Sequence, residues 1–166
     1  MSELAPMLAD ARHRLASVPR EALGELQTGR RTLGIPRAPR VLRRGAAWHL
    51  GALLLGDADD GGLYATGDIV RAREEARRGF PSESQRRRAE IAAAARRGGF
   101  AEGEVVHLGW SVIDVDAVGR DAASGPLALR DGVPSIRWSA AAGYMSLAAY
   151  LDERVELSLH PPAGAT

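Results

Sequence analysis

The 166-residue chain contains no cysteine, no lysine and no asparagine. Without cysteine there is no disulfide, no thiol nucleophile and no thiolate metal ligand. Without lysine there is no Schiff base, and the phosphate-binding lysine of a Walker loop is missing. All 22 basic residues are therefore arginine. With alanine and glycine plentiful, this is the codon bias expected of a GC-rich, bacterial genome. Long apolar runs are scarce too. The longest, residues 45–55, contains His49 and is about half the length that spans a bilayer. Glu3, Asp10 and Arg12 interrupt the first twenty residues, so the continuous apolar core of a signal peptide is not seen. A cytoplasmic protein with no membrane partner is the expectation.

What is present fits one ordinary globular domain. Apolar residues make up 45% and charged residues 26%, the usual mix for a folded chain. The 22 arginines face 21 acids for a net charge of +1, so nothing global attracts nucleic acid or a membrane. The charge is unevenly spread along the chain. Residues 1–97 carry net +6 and residues 98–166 carry net −5.

Leu4, Met7, Leu8, Ala11 and Leu15 repeat at helical spacing and predict a first helix limited by Pro19. A second short helix is expected over residues 20–27, then an irregular Arg-rich connector to residue 45. The apolar run from 46 to 55 reads as a buried strand and, with residues 63–70, as a hairpin around the Asp/Gly turn between them. Pro81-Ser82 opens a helix with Ser82 and Gln85 at capping-box spacing. Five alanines within residues 89–95 favour that helix, and Gly98-Gly99 stops it. Residues 104–117 read as one long strand. Asp131-Gly132 predicts a two-residue hairpin, with Pro134 placing its second arm at a sheet edge. A last helix carries Tyr144, Leu147, Ala148, Leu151, Val155 and Leu159, ending before Pro161. The order predicts a single α+β domain over 1–166, with a helical segment and connector at 1–45 and a sheet with covering helices at 46–160. That sheet is expected to be mostly antiparallel, with about five strands.

Tyr64-Ala-Thr66-Gly67-Asp68 is similar to the Tyr-x-Thr-Gly-Asp motif of adenylate-forming enzymes, in which the Asp binds ribose hydroxyls. The similarity covers eight residues, to Arg71. The family's phosphate loop and catalytic lysine have no counterpart here, so its function is not carried over. Asp57, Asp59, Gly62 and Asp68 fall at positions 1, 3, 6 and 12 of a calcium-loop pattern, but Gly61 at position 5 supplies no side-chain ligand, and a solvated turn is the simpler reading. Gly29 and Gly34 have P-loop spacing without its lysine. His13, His49, His107 and His160 show no zinc spacing. No metal and no cofactor is expected.

Asp114 and Asp116, two apart on the long strand, would share a face and form a carboxylate pair suited to acid–base chemistry. Arg137 and Trp110 are the candidate ligand contacts beside them. Two arginine clusters remain: Arg30, Arg31, Arg37, Arg40, Arg43 and Arg44, then Arg71, Arg73, Arg77, Arg78, Arg86, Arg87, Arg88, Arg96 and Arg97. Glutamates dilute the second, with Arg86 and Glu90 spaced for a helical ion pair. No base-stacking aromatics are interleaved with the first. The sequence therefore points first to a non-catalytic domain that binds a ligand or protein, as a homodimer through complementary charge. A small enzyme with a carboxylate-based site at Asp114/Asp116, or a metal-assisted one, is the second reading, and an arginine-driven nucleic-acid binder the third.

Overall fold

The computed structural model describes residues 3–29, 34–35, 37–59, 62–74 and 82–163. In chain order the elements are α1 (Leu4–Arg14), β1 (Glu21–Gln27), β2 (Arg40–Leu50), β3 (Leu53–Gly56), β4 (Leu63–Ala65), β5 (Asp68–Arg71) and α2 (Glu83–Arg97), followed by β6 (Val105–Leu108), β7 (Ser111–Val112), α3 (Val115–Gly119), β8 (Leu127–Arg130), β9 (Val133–Ile136), β10 (Met145–Ser146) and α4 (Leu147–Leu159). The class is α+β, as expected. About five mostly antiparallel strands was too few: ten are present among the described residues, and β1 pairs with β6 in parallel. No helix of the described residues is long and apolar enough to cross a membrane.

The backbone groups into two compact units. The first comprises Met1–Arg20, Ala47–Thr66 and Trp110–Thr166. Its core gathers Leu4, Leu8, Ala11 and Leu15 of the first helical segment with Leu147, Tyr150, Leu151 and Val155 of α4. The α1 stripe falls where helical periodicity placed it; in α4 Leu147, Leu151 and Val155 do, but Ala148 is exposed, Tyr144 precedes the helix, and Tyr150 joins the core instead. Arg14 ties the two helices, its guanidinium 2.9 Å from Asp152 and 2.7 Å from Glu156. The end of β2 continues through β3 and β4 to β7, all antiparallel. A separate sheet has the order β10-β9-β8, its β8–β9 turn made by Asp131 and Gly132 at φ 53° and 78°, the two left-handed residues of a type I′ turn. Pro134 is therefore not on an edge strand. In such a hairpin its nitrogen points away from β8, and β10 reaches only Ser135 and Ile136, so the missing N–H leaves no ladder partner unmet.

The second unit comprises Glu21–Ala46 and Gly67–Gly109. Its strands follow the order β5-β6-β1-β2. Helix α2 covers one face through Ala94 and Ala95, which pack with Ala22, Val41, Ala72, Phe100, Val106 and Leu108. The Ser82–Gln85 capping box forms as expected. Residues 20–27, expected as helix, are instead β1. Ala, Leu, Glu and Gln favour helix locally, but Ala22, Leu23 and Gly24 are buried in the sheet. A Cβ on Gly24 would lie 2.6 Å from Val41 Cγ1 and 2.7 Å from Val106 Cγ1, so pairing with distant strands overrides propensity. The connector likewise ends at Arg40, where β2 begins. Within the apolar run, Gly51 at φ 68° turns β2 into β3. The predicted strand at 63–70 breaks into β4 and β5 at Thr66-Gly67.

Candidate functional site

The predicted strand over residues 104–117 does not extend past Leu108. Gly109 adopts φ 65°, and after β7 the chain turns into α3. Asp114 therefore sits at the N-cap of α3, its carboxylate accepting from Ala117 N–H at 2.8 Å. Asp116 lies in the first turn of that helix, about 200° around the axis from Asp114. Both are exposed, so the expected carboxylate face is not built. Trp110 packs its ring edgewise on Tyr64, centroids 5.0 Å apart. Arg137 donates to Ala140 O at 2.6 Å and Ala142 O at 3.3 Å, bracing its own loop. It also borders a hollow of about 340 Å³ with Pro126 and Tyr144. None of these contacts joins Asp114 or Asp116 to Arg137 or Trp110.

The adenylate-like motif is divided: Tyr64 belongs to the first unit and Asp68 to the second. In the calcium-like turn, Asp57 pairs with Arg20 and accepts from Asp59 N–H at 3.1 Å; Asp60 and Gly61 lie outside the described residues.

The arginines of the first cluster that the structure describes are largely spent on the fold. Arg43 binds Glu104 at 2.7 Å and stacks over Phe100, Arg44 binds Glu25 at 2.6 Å, and Arg40 reaches Gln27 at 3.3 Å. Arg30 and Arg31, like Arg77 and Arg78, lie outside the described residues. Arg96 is also engaged, by Glu102 at 3.2 Å, Glu74 at 3.6 Å and Phe100 O at 2.5 Å. Arg97 donates to Pro39 O.

The rest of the second cluster behaves differently. Arg71 and Arg73, on and just after β5, line a cleft of about 730 Å³ with Arg87 and Arg88 of α2, and Arg71 Nη1 also reaches Gly103 O at 3.5 Å. Such a volume is usual for ligand sites, about 300–1,000 Å³. Among the described residues, Arg71, Arg73, Arg87 and Arg88 have no carboxylate within ion-pair distance, and the expected Arg86–Glu90 pair does not form. Asp68 is the one acid among the described residues of the lining. Val70, Ile91 and Ala92 give it an apolar floor, and Arg73 N–H closes one end by donating to Ala92 O at 3.2 Å. The capping box already occupies the start of α2, so charge recognition falls to the guanidinium groups. The arginines were visible as a cluster in the sequence. Their convergence was not, because it needs β5 and α2 side by side.

A second arrangement in this unit is the pair Glu21 and His107. His107, fully buried on β6, has Nε2 at 2.5 Å from Glu21 Oε2 on neighbouring β1. A carboxylate that fixes an imidazole's orientation prepares it for proton transfer or for metal ligation, and equally satisfies a structural histidine. Sequence reading missed it because the partners are far apart in the chain and His107 lay on a strand whose neighbours were unknown. Comparison with protein families, characterised proteins and solved structures gives no match to this chain.

Proposed function

We propose that this protein is a non-catalytic binding domain whose ligand is anionic and is held in the cleft between β5 and α2. The observation that carries this reading is the set of four arginines against a single aspartate among the described residues of the cleft lining. None of the four has an ion-pair partner among the described residues. Like charges gathered without neutralisation repel one another, and an anion relieves that repulsion. Guanidinium groups also match phosphate and carboxylate in a two-pronged geometry. The cytoplasm is the compartment that goes with this reading.

Titration calorimetry with inorganic tripolyphosphate tests it. The wild-type chain binds, and the double substitution Arg87→Gln/Arg88→Gln weakens binding at least tenfold, while Arg40→Gln, remote from the cleft lining, leaves it unchanged. Binding absent from the wild type, or indifferent to the double substitution, overturns the reading.

We further propose that the chain forms a homodimer through complementary charge. The two units support this: the first carries 7 arginines and 12 acids, the second 15 arginines and 9 acids. A twofold arrangement lets a basic surface meet an acidic one twice.

A further inference from the structure

We infer that the occupant of the β5–α2 cleft is an extended acidic peptide segment of another protein, added to the sheet as a strand beside β5. This rests on the anion-binding reading and narrows it.

Strand β5 is the last in the order β5-β6-β1-β2, so its outer edge has no strand partner among the described residues. Ala72, just past its end, donates to Glu104 O at 2.9 Å and accepts from Gly103 N–H at 2.7 Å. Its backbone groups therefore face the β6 side. In an antiparallel ladder this direction alternates. Val70 shares it, and the N–H and C=O groups of Ile69 and Arg71 point outward. The four residues of β5 offer an edge about 13 Å long. Ile69 is 51% exposed.

Open strand edges are hazards that proteins blunt with charge or cover. Here the charges flanking the edge are arginines, which repel a basic strand and attract an acidic one. Helix α2 forms the far wall, so an incoming strand lies between a sheet edge and a helix. In that mode main-chain hydrogen bonds supply affinity and alternate side chains supply specificity. Apolar side chains of the peptide would meet Val70 and Ile91, while acidic ones would reach Arg87 and Arg88. A free phosphate uses the guanidinium donors of the cleft but leaves the outward carbonyls of Ile69 and Arg71 idle. A nucleic acid finds, among the described residues of the lining, no aromatic side chain on which to stack a base.

Fluorescence anisotropy with a labelled octapeptide of alternating glutamate and valine tests the inference. Two versions N-methylated on alternate residues, one in each register, serve as backbone controls. The parent peptide binds, methylation in one register weakens binding at least tenfold, and methylation in the other does not. Ile69→Pro removes an outward N–H and spares those facing β6. It weakens the parent peptide at least tenfold and leaves tripolyphosphate binding intact; should it not fold, the methylated peptides decide alone. Equal binding of all three peptides overturns the inference, because charge alone would then suffice. An RNA octamer that displaces the peptide at lower concentration than unlabelled peptide does so too. If tripolyphosphate binds and the peptide does not, the peptide inference falls and the anion-binding reading stands. If neither binds, both fall.

Discussion

The hydroxyl of Tyr150 donates a 2.8 Å hydrogen bond to the carbonyl of Leu50, a hundred residues earlier in the chain. The same oxygen accepts from Ala52 N–H at 2.7 Å, so one buried side chain on α4 bridges both sides of the Gly51 turn. A Cβ on Gly51 would lie 2.5 Å from that hydroxyl, and at φ 68° any other residue is strained. Tyr150→Phe leaves two backbone groups without this partner and is expected to cost about 1–3 kcal/mol. Gly51→Ala is expected to cost at least about 1–2 kcal/mol from backbone conformation alone. Denaturant melts measure both, and an unchanged midpoint for either would contradict the geometry.

Leu151 is 4% exposed in the core that α4 shares with α1. Leu151→Ala removes packed methyl groups and is expected to destabilise by about 2–5 kcal/mol. Leu157, on the same helix but 43% exposed, is the control, and its change to alanine should fall within about 0.5 kcal/mol. Equal losses at both positions would mean that the helix packs another face inward.

Local signals carried by residue types proved legible: the α1 stripe, the Leu147/Leu151/Val155 part of the α4 stripe, the Ser82–Gln85 box, and the Asp131-Gly132 turn. The errors share one cause. Residues 20–27 have helical propensity, yet Gly24 sits where only a glycine allows Val41 and Val106 to close on it. The run after Glu104 has strand composition, yet Gly109 bends it and Asp114 caps a helix. In each case a glycine marked the break, but its meaning depended on a strand from elsewhere in the chain. The candidate site was legible to the same degree. The arginines of the second cluster were countable, while the division into engaged and free ones required the positions of Glu74 and Glu102.

Glu104 gives a pH dependence. Burial pushes its pKa up, but the Ala101 N–H and the Arg43 guanidinium more than offset this and hold it below the ordinary 4.5. A carboxylate depressed in the folded state adds stability that is present above its unfolded pKa and is lost as pH falls through the folded one. Glu104→Gln is therefore expected to be less stable than wild type near neutrality. The difference should vanish once the pH is below the folded pKa. Urea midpoints measured from neutral pH down into the acid limb provide the check. A gap that persists at the acid end would assign the loss to packing rather than charge.

The proposed dimer makes the remaining prediction, and salt separates its possible causes. With 12 acids in the first unit and 15 arginines in the second, attraction between copies acts over a Debye length of about 30 Å at 0.01 M salt and only about 3 Å at 1 M. Association driven by these surfaces should therefore be strong at low ionic strength and weaken steeply as salt rises. Light scattering at tens of micromolar protein should give twice 17.6 kDa at low salt and approach the single-chain mass near 1 M. Arg87→Glu/Arg88→Glu, which lowers the charge of the basic unit by four, should move the midpoint of that transition to lower salt if the cleft face takes part. A single-chain mass under every condition rules the dimer out. A dimer indifferent to salt would mean that apolar contact holds it, and the segregation of charge between the units would then need another use, for which the arginine-lined cleft is the first place to look.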